Sequence, residues 1–286
     1  MIPPQVINRN NMIEFRNKIY YGSDNRPSLY DCVIPDGAIG VIIFIHGYKG
    51  FKDWGAWNLM QDYFVQKGFG FVKFNLTHNG GTVQDPIDFP DLEAFGRNTF
   101  TKELYDINII VSETHRLIHQ ELEMNLPIYL LGHSRGGGDA ILHAATDNRI
   151  SKIVSLAGIS DIASRFPTGD ELEDWKIDGV HYVENTRTHQ QMPHYYSLYE
   201  DFIENAEKFD IEKAVRSLKI PFLQIHGDMD TTVSISEGIS LAEWSNTKLK
   251  IIKGADHTFG SEQPWNENKL PEDLQLATDA AISFFK

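Results

Sequence analysis

The feature that most constrains the fold of this 286-residue chain is a series of short apolar runs separated by amphipathic stretches. The runs are apolar at successive rather than alternate positions, which is typical of strands buried on both faces of a parallel sheet. The predicted strands span residues 41–45, 69–74, 128–131, 153–156, 222–225 and 249–252. Their alternation with helical sequence predicts an α/β fold, with an open, mostly parallel, doubly wound sheet and helices on both faces.

Two of the intervening stretches have clear helical spacing. In the first, one stripe carries Leu104, Ile107, Val111, Ile118 and Leu122. The second begins at Pro271 and runs to the C-terminus, with one face formed by Leu274, Ala277, Ala281 and Phe285. Proline suits a first helical turn, and the acidic pair that follows it suits the helix dipole. Residues 13–21 and 29–34 are predicted to add antiparallel strands at the leading edge of the sheet.

A segment at about residues 161–217 interrupts this alternation. It contains no strand-like run, only mixed charged and aromatic sequence that predicts helices or loops. A connection this long usually carries its own structure or a function. Its large aromatic side chains are too many for a purely solvated excursion, which is the alternative: Trp175, Tyr182, Tyr195, Tyr196, Tyr199 and Phe202. We therefore predict a single domain over residues 1–286, with a cap inserted between two core strands at about 161–217.

Composition excludes several classes of function. The chain has 40 acidic and 26 basic residues, a formal net charge of −14, and no basic cluster, so we expect no nucleic-acid binding. The single cysteine, Cys32, lies in an apolar stretch and is predicted to be buried. The first residues lack the pattern of a signal peptide, and no stretch approaches the roughly 20 apolar residues of a membrane span. We expect a cytoplasmic protein without membrane contact.

The pattern G-x-S-x-G occurs once, from Gly132 to Gly136. A predicted strand leads into it and a helical pattern leads out, which is the strand–turn–helix setting of a nucleophile elbow. The turn is sharp, so the two glycines leave room for the backbone, and Ser134 is held in a strained conformation facing the cleft. We predict that Ser134 is a nucleophile and that the amide of Arg135 faces the reacting carbonyl. The alternative is a glycine-rich turn with an uninvolved serine.

Three further motifs accompany this turn: H-G-Y-K-G-F-K at residues 46–52, H-G-D-M-D-T-T-V at 226–233 and G-A-D-H at 254–257. With these motifs the chain resembles the α/β-hydrolase superfamily over about residues 13–285. It is most similar to bacterial esterase-like members related to dienelactone hydrolases, cinnamoyl esterases and acylaminoacyl-peptidase catalytic domains. Serine rather than cysteine at the elbow departs from the dienelactone hydrolases.

A serine hydroxyl needs a histidine to accept its proton and an acid to orient that histidine. In this fold the order along the chain is serine, acid, histidine. Two aspartates compete for the role of the acid at the end of the strand over 222–225. The resemblance implies Asp230, whereas Asp228 suits a turn that binds local backbone. His257 is the only histidine after them and is the predicted base, the alternative being an ordinary packed or exposed histidine.

An oxyanion formed during acyl transfer usually meets two amide donors. One is predicted to be Arg135, and the resemblance implies that the other is Tyr48, with Gly47 allowing close backbone approach. The loop over 78–81 follows the next strand and is expected either to rim the same cleft or only to form a turn. Three histidines of the predicted cap lack tight ligand spacing and cysteine partners: His181, His189 and His194. We therefore expect no metal site and no cofactor.

The sequence predicts a carboxylesterase that acts on a small-molecule ester through an acyl-enzyme intermediate. The cap aromatics indicate an apolar or aromatic group, such as a cinnamoyl or short-chain acyl group. The acidic cluster over 170–174 disfavours strongly anionic substrates. Peptidase, thioesterase and acyltransferase activities would use the same triad and remain alternatives, because a fold alone does not specify a reaction. A non-enzymatic binding protein with a relic site is a further alternative.

Overall fold

A computed structural model describes residues 12–286. Residues 1–11, whose sequence predicts no signal peptide, lie outside the described residues. The strands are β1 Ile13–Tyr21, β2 Pro27–Ile34, β3 Val41–Ile45, β4 Gly70–Phe74, β5 Ile128–His133, β6 Ile150–Leu156, β7 Val180–Glu184, β8 Gln191–Tyr195, β9 Phe222–Gly227 and β10 Lys250–Ile252. The α-helices are α1 Trp57–Gln66, α2 Leu92–Gly96, α3 Phe100–Arg116, α4 Arg135–Ala144, α5 Asp170–Asp178, α6 Ser197–Glu204, α7 Ile211–Ser217, α8 Ile235–Trp244 and α9 Glu272–Phe285.

The main sheet has eight strands in the order β1-β2-β4-β3-β5-β6-β9-β10. β2 pairs antiparallel with both β1 and β4, and the remaining neighbours pair in parallel. β2 is therefore the one strand of this sheet that runs opposite to the other seven. Helices α3, α4, α7 and α8 pack on one face of the sheet, and α1 and α9 pack on the other. Because both faces are covered, the central strands are fully buried, which explains their unbroken apolar runs.

The predicted core is confirmed in these elements. Each predicted apolar run coincides with a strand to within a few residues, and the two leading strands are antiparallel. The stripe that begins at Leu104 lies on α3, which continues through a π-helical turn at Leu117–Glu121. The predicted apolar face of α9 is buried, and Cys32 is buried in β2. No helix within residues 12–286 has both the length and the apolarity needed to cross a membrane.

The chain between β6 and β9 differs from the sequence prediction in one respect. We expected no strand at about residues 161–217, but β7 and β8 form an antiparallel hairpin there. That expectation was wrong because we searched for continuous apolar runs. β7 and β8 form a two-stranded ribbon outside the main sheet, so their sequences mix polar and apolar residues. The segment also contains α5, α6 and α7, and α7 packs in the same apolar core as α4.

A buried ion network fastens β2 to β4 and to the loop after β3. The Asp31 carboxylate lies 2.7 Å from Nζ of Lys73 and 2.9 Å from Nζ of Lys52, and both ammonium groups also contact Asp53. Burial alone would raise the pKa of Asp31, but the two ammonium groups hold it below its ordinary value. The ionised carboxylate is therefore the form that stabilises the fold.

We expect Asp31→Asn to lower the free energy of unfolding by about 3–5 kcal/mol, because two buried ammonium groups lose a shared partner. The exposed Asp36 gives a matched control, and Asp36→Asn is expected to have no measurable effect. Since the pKa of Asp31 is lowered on folding, its contribution is complete above about pH 4 and declines as the pH falls below that value. Urea unfolding at several pH values measures this difference. If the difference in unfolding free energy between the wild-type protein and Asp31→Asn grows as the pH falls, this role of the Asp31 carboxylate is contradicted.

Candidate active site

Ser134 occupies the turn between β5 and α4, with φ 55° and ψ −122°. This is a strained conformation for a residue with a side chain. Both flanking positions require glycine, because neighbouring backbone atoms leave no space for a Cβ atom. A Cβ atom on Gly132 would lie 2.1 Å from the carbonyl oxygen of Gly136, and one on Gly136 would lie 2.4 Å from that of Ile45. The turn therefore has the geometry of a nucleophile elbow.

The structure brings the three side chains of the predicted triad together. The Oγ atom of Ser134 lies 3.0 Å from Nε2 of His257, and Nδ1 of His257 lies 2.8 Å from Oδ2 of Asp230. These residues follow β5, β10 and β9, whose carboxyl ends lie at the same edge of the sheet. The three side chains form a continuous hydrogen-bonded chain.

The surroundings of the two competing aspartates differ. Oδ1 of Asp230 accepts backbone N–H groups from Thr232 and Val233, each at 2.8 Å. Burial alone would raise the pKa of Asp230, but hydrogen bonds from His226 and His257 hold it well below its ordinary value. Asp228 is exposed and accepts the backbone N–H of Gly254 at 2.5 Å. Asp230 is thus an ionised partner of the histidine, whereas Asp228 joins the loop after β9 to the loop after β10.

The loop after β3 lies directly against the elbow. A Cβ atom on Gly47 would be 2.9 Å from Cβ of Ser134. The backbone N–H of Leu76 donates to Nε2 of His46 at 3.1 Å, so Nδ1 of His46 carries the proton and donates to the carbonyl of Gly47 at 2.9 Å. Burial lowers the pKa of His46 to about 4, so the ring stays neutral. His46 therefore fixes the loop that contains Tyr48.

The hairpin of β7 and β8 contacts the same loop through two successive side chains. The hydroxyl of Tyr48 lies 2.7 Å from Nε2 of His194 on β8. Lys49 Nζ donates to the carbonyl of Glu184 at the end of β7, at 2.9 Å. Burial, with the nearby cation of Arg135, lowers the pKa of His194 to about 3, so the ring is neutral at pH 7. The hairpin is thereby attached to the predicted oxyanion loop.

Two cavities adjoin Ser134. The first, which we term the cap-side cavity, has a volume of about 310 Å³. Most of its wall is apolar, including Phe100, Ile159, Phe166, Trp175, Val183 and Leu198. The second, the base-side cavity, has a volume of about 330 Å³ and is bordered by His257. Its wall is more polar, including Lys49, Asn185, Thr186, Arg187 and Thr258.

Arg135 combines two positions in the site. As the first residue of α4 it places its amide next to Ser134, and its side chain lines the cap-side cavity. The guanidinium donates through Nε to Glu103 at 3.0 Å and lies 4.0 Å from the ring centroid of Phe100. These contacts hold the side chain against the wall of the cavity.

Some predicted site features take other positions. His78 and Asn79 are buried, and the Asn79 amide bonds to the backbone of Gly50 and Gly81. The loop over 78–81 is therefore held by hydrogen bonds to nearby backbone, and it lines neither of the two cavities. Of the six predicted cap aromatics, Trp175 lines the cap-side cavity. Tyr182 is 56% exposed.

Sequence reasoning missed several residues of the site. Glu103, which holds Arg135, gave no local signal because the two residues are 32 positions apart. His226 contacts Asp230 four residues further along the chain, but it was noted only as part of the motif over 226–233. The prediction treated His181 and His194 only as non-ligands, although both line the cap-side cavity. Within residues 12–286, no group of three or more histidine, cysteine, aspartate or glutamate side chains has the arrangement of a metal site.

A mostly parallel sheet with its second strand reversed, and a serine in a strained turn before a helix, define the α/β-hydrolase fold. Solved structures with this fold match nearly the whole chain. The ferulic acid complex of Est1E from Butyrivibrio proteoclasticus has a TM-score of 0.70 and 20% identity, covering 93% of this chain and 97% of its own. The dienelactone hydrolase of Anabaena variabilis has a TM-score of 0.62 and 20% identity, covering 96% and 98%.

The monoacylglycerol lipase of Paleococcus ferrophilus has a TM-score of 0.64 and 16% identity, covering 90% of this chain and 98% of its own. No protein-family model and no curated protein matches the sequence. The resemblance found in the motifs is thus confirmed for the fold. Because these identities are only 16–20%, the similar structures establish the fold of this chain and not its substrate.

Proposed function

We propose that this protein is a serine hydrolase that cleaves carboxylic esters through an acyl-enzyme intermediate. The observation that carries the proposal is the hydrogen-bonded chain from Ser134 through His257 to Asp230, with the serine at a strained elbow. Such a chain activates a hydroxyl that is otherwise a weak nucleophile. The esterase, lipase and dienelactone hydrolase among the similar structures support an ester as the substrate.

In the proposed reaction, Nε2 of His257 takes the proton of Ser134 as Oγ attacks the ester carbonyl. The carboxylate of Asp230 stabilises the imidazolium and holds it in the required tautomer. His257 then gives the proton to the departing alkoxide, and the alcohol leaves an acyl group on Ser134. A water molecule, deprotonated by His257, attacks the acyl group and releases the carboxylic acid. The reaction as written needs no metal or cofactor.

The amides of Tyr48 and Arg135 are the proposed donors to the oxyanion. Support comes from the close approach of Gly47 to Ser134 and from the place of Arg135 at the N-terminus of α4. Preorganised backbone donors at a helix N-terminus stabilise developing negative charge. The hairpin contacts of Tyr48 and Lys49 hold this loop against the elbow.

The position of His257 supports a proposal for where the two halves of the ester bind. The base must reach the oxygen of the leaving alcohol to protonate it. His257 borders the base-side cavity and is absent from the wall of the cap-side cavity. We therefore assign the alcohol to the base-side cavity and the acyl group to the cap-side cavity, with the segment over 161–217 acting as a cap. The apolar wall favours an aromatic or short aliphatic acyl group.

A matched set of substrates tests the proposal against the activities that would share the triad. A p-nitrophenyl ester, an anilide and a thioester of the same acyl group are compared by kcat/KM. We expect the highest value for the ester, and a burst of p-nitrophenol when deacylation is the slower step. Because a p-nitrophenyl ester is intrinsically more reactive than an anilide, peptidase activity predicts measurable turnover of the anilide beside that of the ester. Thioesterase and acyltransferase activity predict a preference for the thioester and for transfer to an added alcohol, respectively. Any of these outcomes would contradict the ester assignment.

A further inference from the structure

The residue before the nucleophile is a histidine that lines the base-side cavity but has no role in the reaction steps described above. His133 is the last residue of β5 and is only 6% exposed. Its ring packs between Trp57 and His257, with centroid distances of 5.2 and 4.9 Å. Its Nε2 atom lies 2.9 Å from the backbone carbonyl oxygen of His257. The side chain therefore contacts both the ring and the backbone of the proposed base.

The direction of this hydrogen bond follows from its acceptor. A carbonyl oxygen only accepts, so Nε2 of His133 carries the proton and donates. Burial, with a smaller effect from His257, lowers the pKa of His133 to about 3, so the ring is neutral at pH 7 and Nδ1 is bare. A Cβ atom on Gly47 would lie 3.3 Å from this Nδ1. The ring thus fills the space between the base and the proposed oxyanion loop.

We infer that His133 is a positioning residue that fixes the general base by donating its Nε2–H to the carbonyl of His257. The inference rests on the proposed function. His133 and Ser134 are neighbours at the end of β5, whereas His257 lies in the loop after β10. The bond therefore ties the loop of the base to the strand that delivers the nucleophile. Displacement of a catalytic group by about 1 Å can cost about 100-fold in rate.

The neutral state of His133 also suits this role. His257 becomes a cation as Ser134 attacks, and a second cation at a ring distance of 4.9 Å would oppose that charge. The other charged or titratable groups near His133 are Asp230, whose carboxylate raises the pKa of His133, and His226, which lowers it; burial outweighs both effects. A buried, neutral donor can therefore hold the base without opposing its protonation.

A matched pair of variants separates the hydrogen bond from packing. His133→Met and His133→Gln have side chains of similar length, but only glutamine carries an N–H donor. We expect His133→Met to lower kcat by about 10- to 100-fold and His133→Gln to recover most of that loss, while KM reports separately on the wall of the base-side cavity, which both variants alter. His143 is a buried histidine that lines neither cavity at Ser134, so His143→Gln is expected to keep the wild-type kcat.

His133→Phe is the second donor-free variant and replaces His133→Met if that protein does not fold, as judged by its melting temperature. A folded donor-free variant with wild-type kcat would overturn the inference. So would a glutamine variant as slow as the donor-free one. These outcomes differ from a failure of the proposed function, in which the wild-type protein itself neither turns over esters nor reacts with a fluorophosphonate at Ser134.

Discussion

Asp230→Asn is expected to lower kcat for ester hydrolysis by about 10⁴-fold, whereas Asp228→Asn leaves it close to the wild-type value. The carboxylate of Asp230 accepts from Nδ1 of His257 at 2.8 Å, and this bond holds Nε2 free to accept the serine proton. An asparagine amide can present its N–H to the ring instead, which favours the wrong tautomer. The Asp228 carboxylate accepts the N–H of Gly254 in the loop that leads to His257, and the side-chain oxygen of an asparagine can still accept this N–H.

Steady-state kinetics with one p-nitrophenyl ester measures both variants, and circular dichroism checks that each is folded. The pair is matched because the two aspartates lie two residues apart in the same loop and undergo the same chemical change. A large loss in Asp228→Asn, with Asp230→Asn nearly unaffected, would assign the acid to Asp228. Equal and small losses in both would remove the acid from the proposed mechanism.

Gly136→Ala is expected to lower the free energy of unfolding by at least about 3 kcal/mol and to abolish most ester turnover. The added Cβ would lie 2.4 Å from the carbonyl oxygen of Ile45 and 2.5 Å from that of His46. Both contacts are with backbone, which cannot rotate away as a side chain can. Relief requires α4 to move from β3, and this shifts Ser134 and the amide of Arg135 away from the oxyanion loop.

Gly138, two residues further along α4, provides the control for Gly136→Ala. A Cβ atom there would meet only side-chain carbons of Ile159 and Ile211, the nearest at 2.8 Å. These side chains can adjust, so we expect Gly138→Ala to cost much less stability and to retain turnover. Urea unfolding and the same ester assay give both quantities. Wild-type stability and turnover in Gly136→Ala would contradict the described packing of the elbow.

The sequence was sufficient for the main sheet because a strand buried on both faces must be apolar at nearly every position. Ser134 and His257 could be predicted from the elbow motif and the chain order of this fold, and Asp230 from the resemblance. Each follows a strand of the parallel part of the sheet, and the carboxyl ends of parallel strands meet at one edge of a sheet. The structure adds the distances that join these three side chains.

The remaining parts of the site depend on contacts that no local pattern encodes. β7 and β8 were missed because their ribbon is not buried on both faces, as the strands of the main sheet are. The bond between Tyr48 and His194 joins residues 146 positions apart, so only the folded chain brings them together. His133 sits within the elbow motif, yet its contact with His257 depends on a loop 124 residues away. The sequence therefore predicted the reacting groups better than the residues that hold them.

The central claim is that Ser134 is the nucleophile of a serine hydrolase, and covalent labelling tests it most directly. The wild-type protein and Ser134→Ala are incubated with a fluorophosphonate, followed by intact-mass measurement and peptide mapping. We expect the wild-type protein to gain one adduct, located on Ser134, and Ser134→Ala to gain none. An adduct on another residue, or labelling of Ser134→Ala equal to that of the wild-type protein, would contradict the claim.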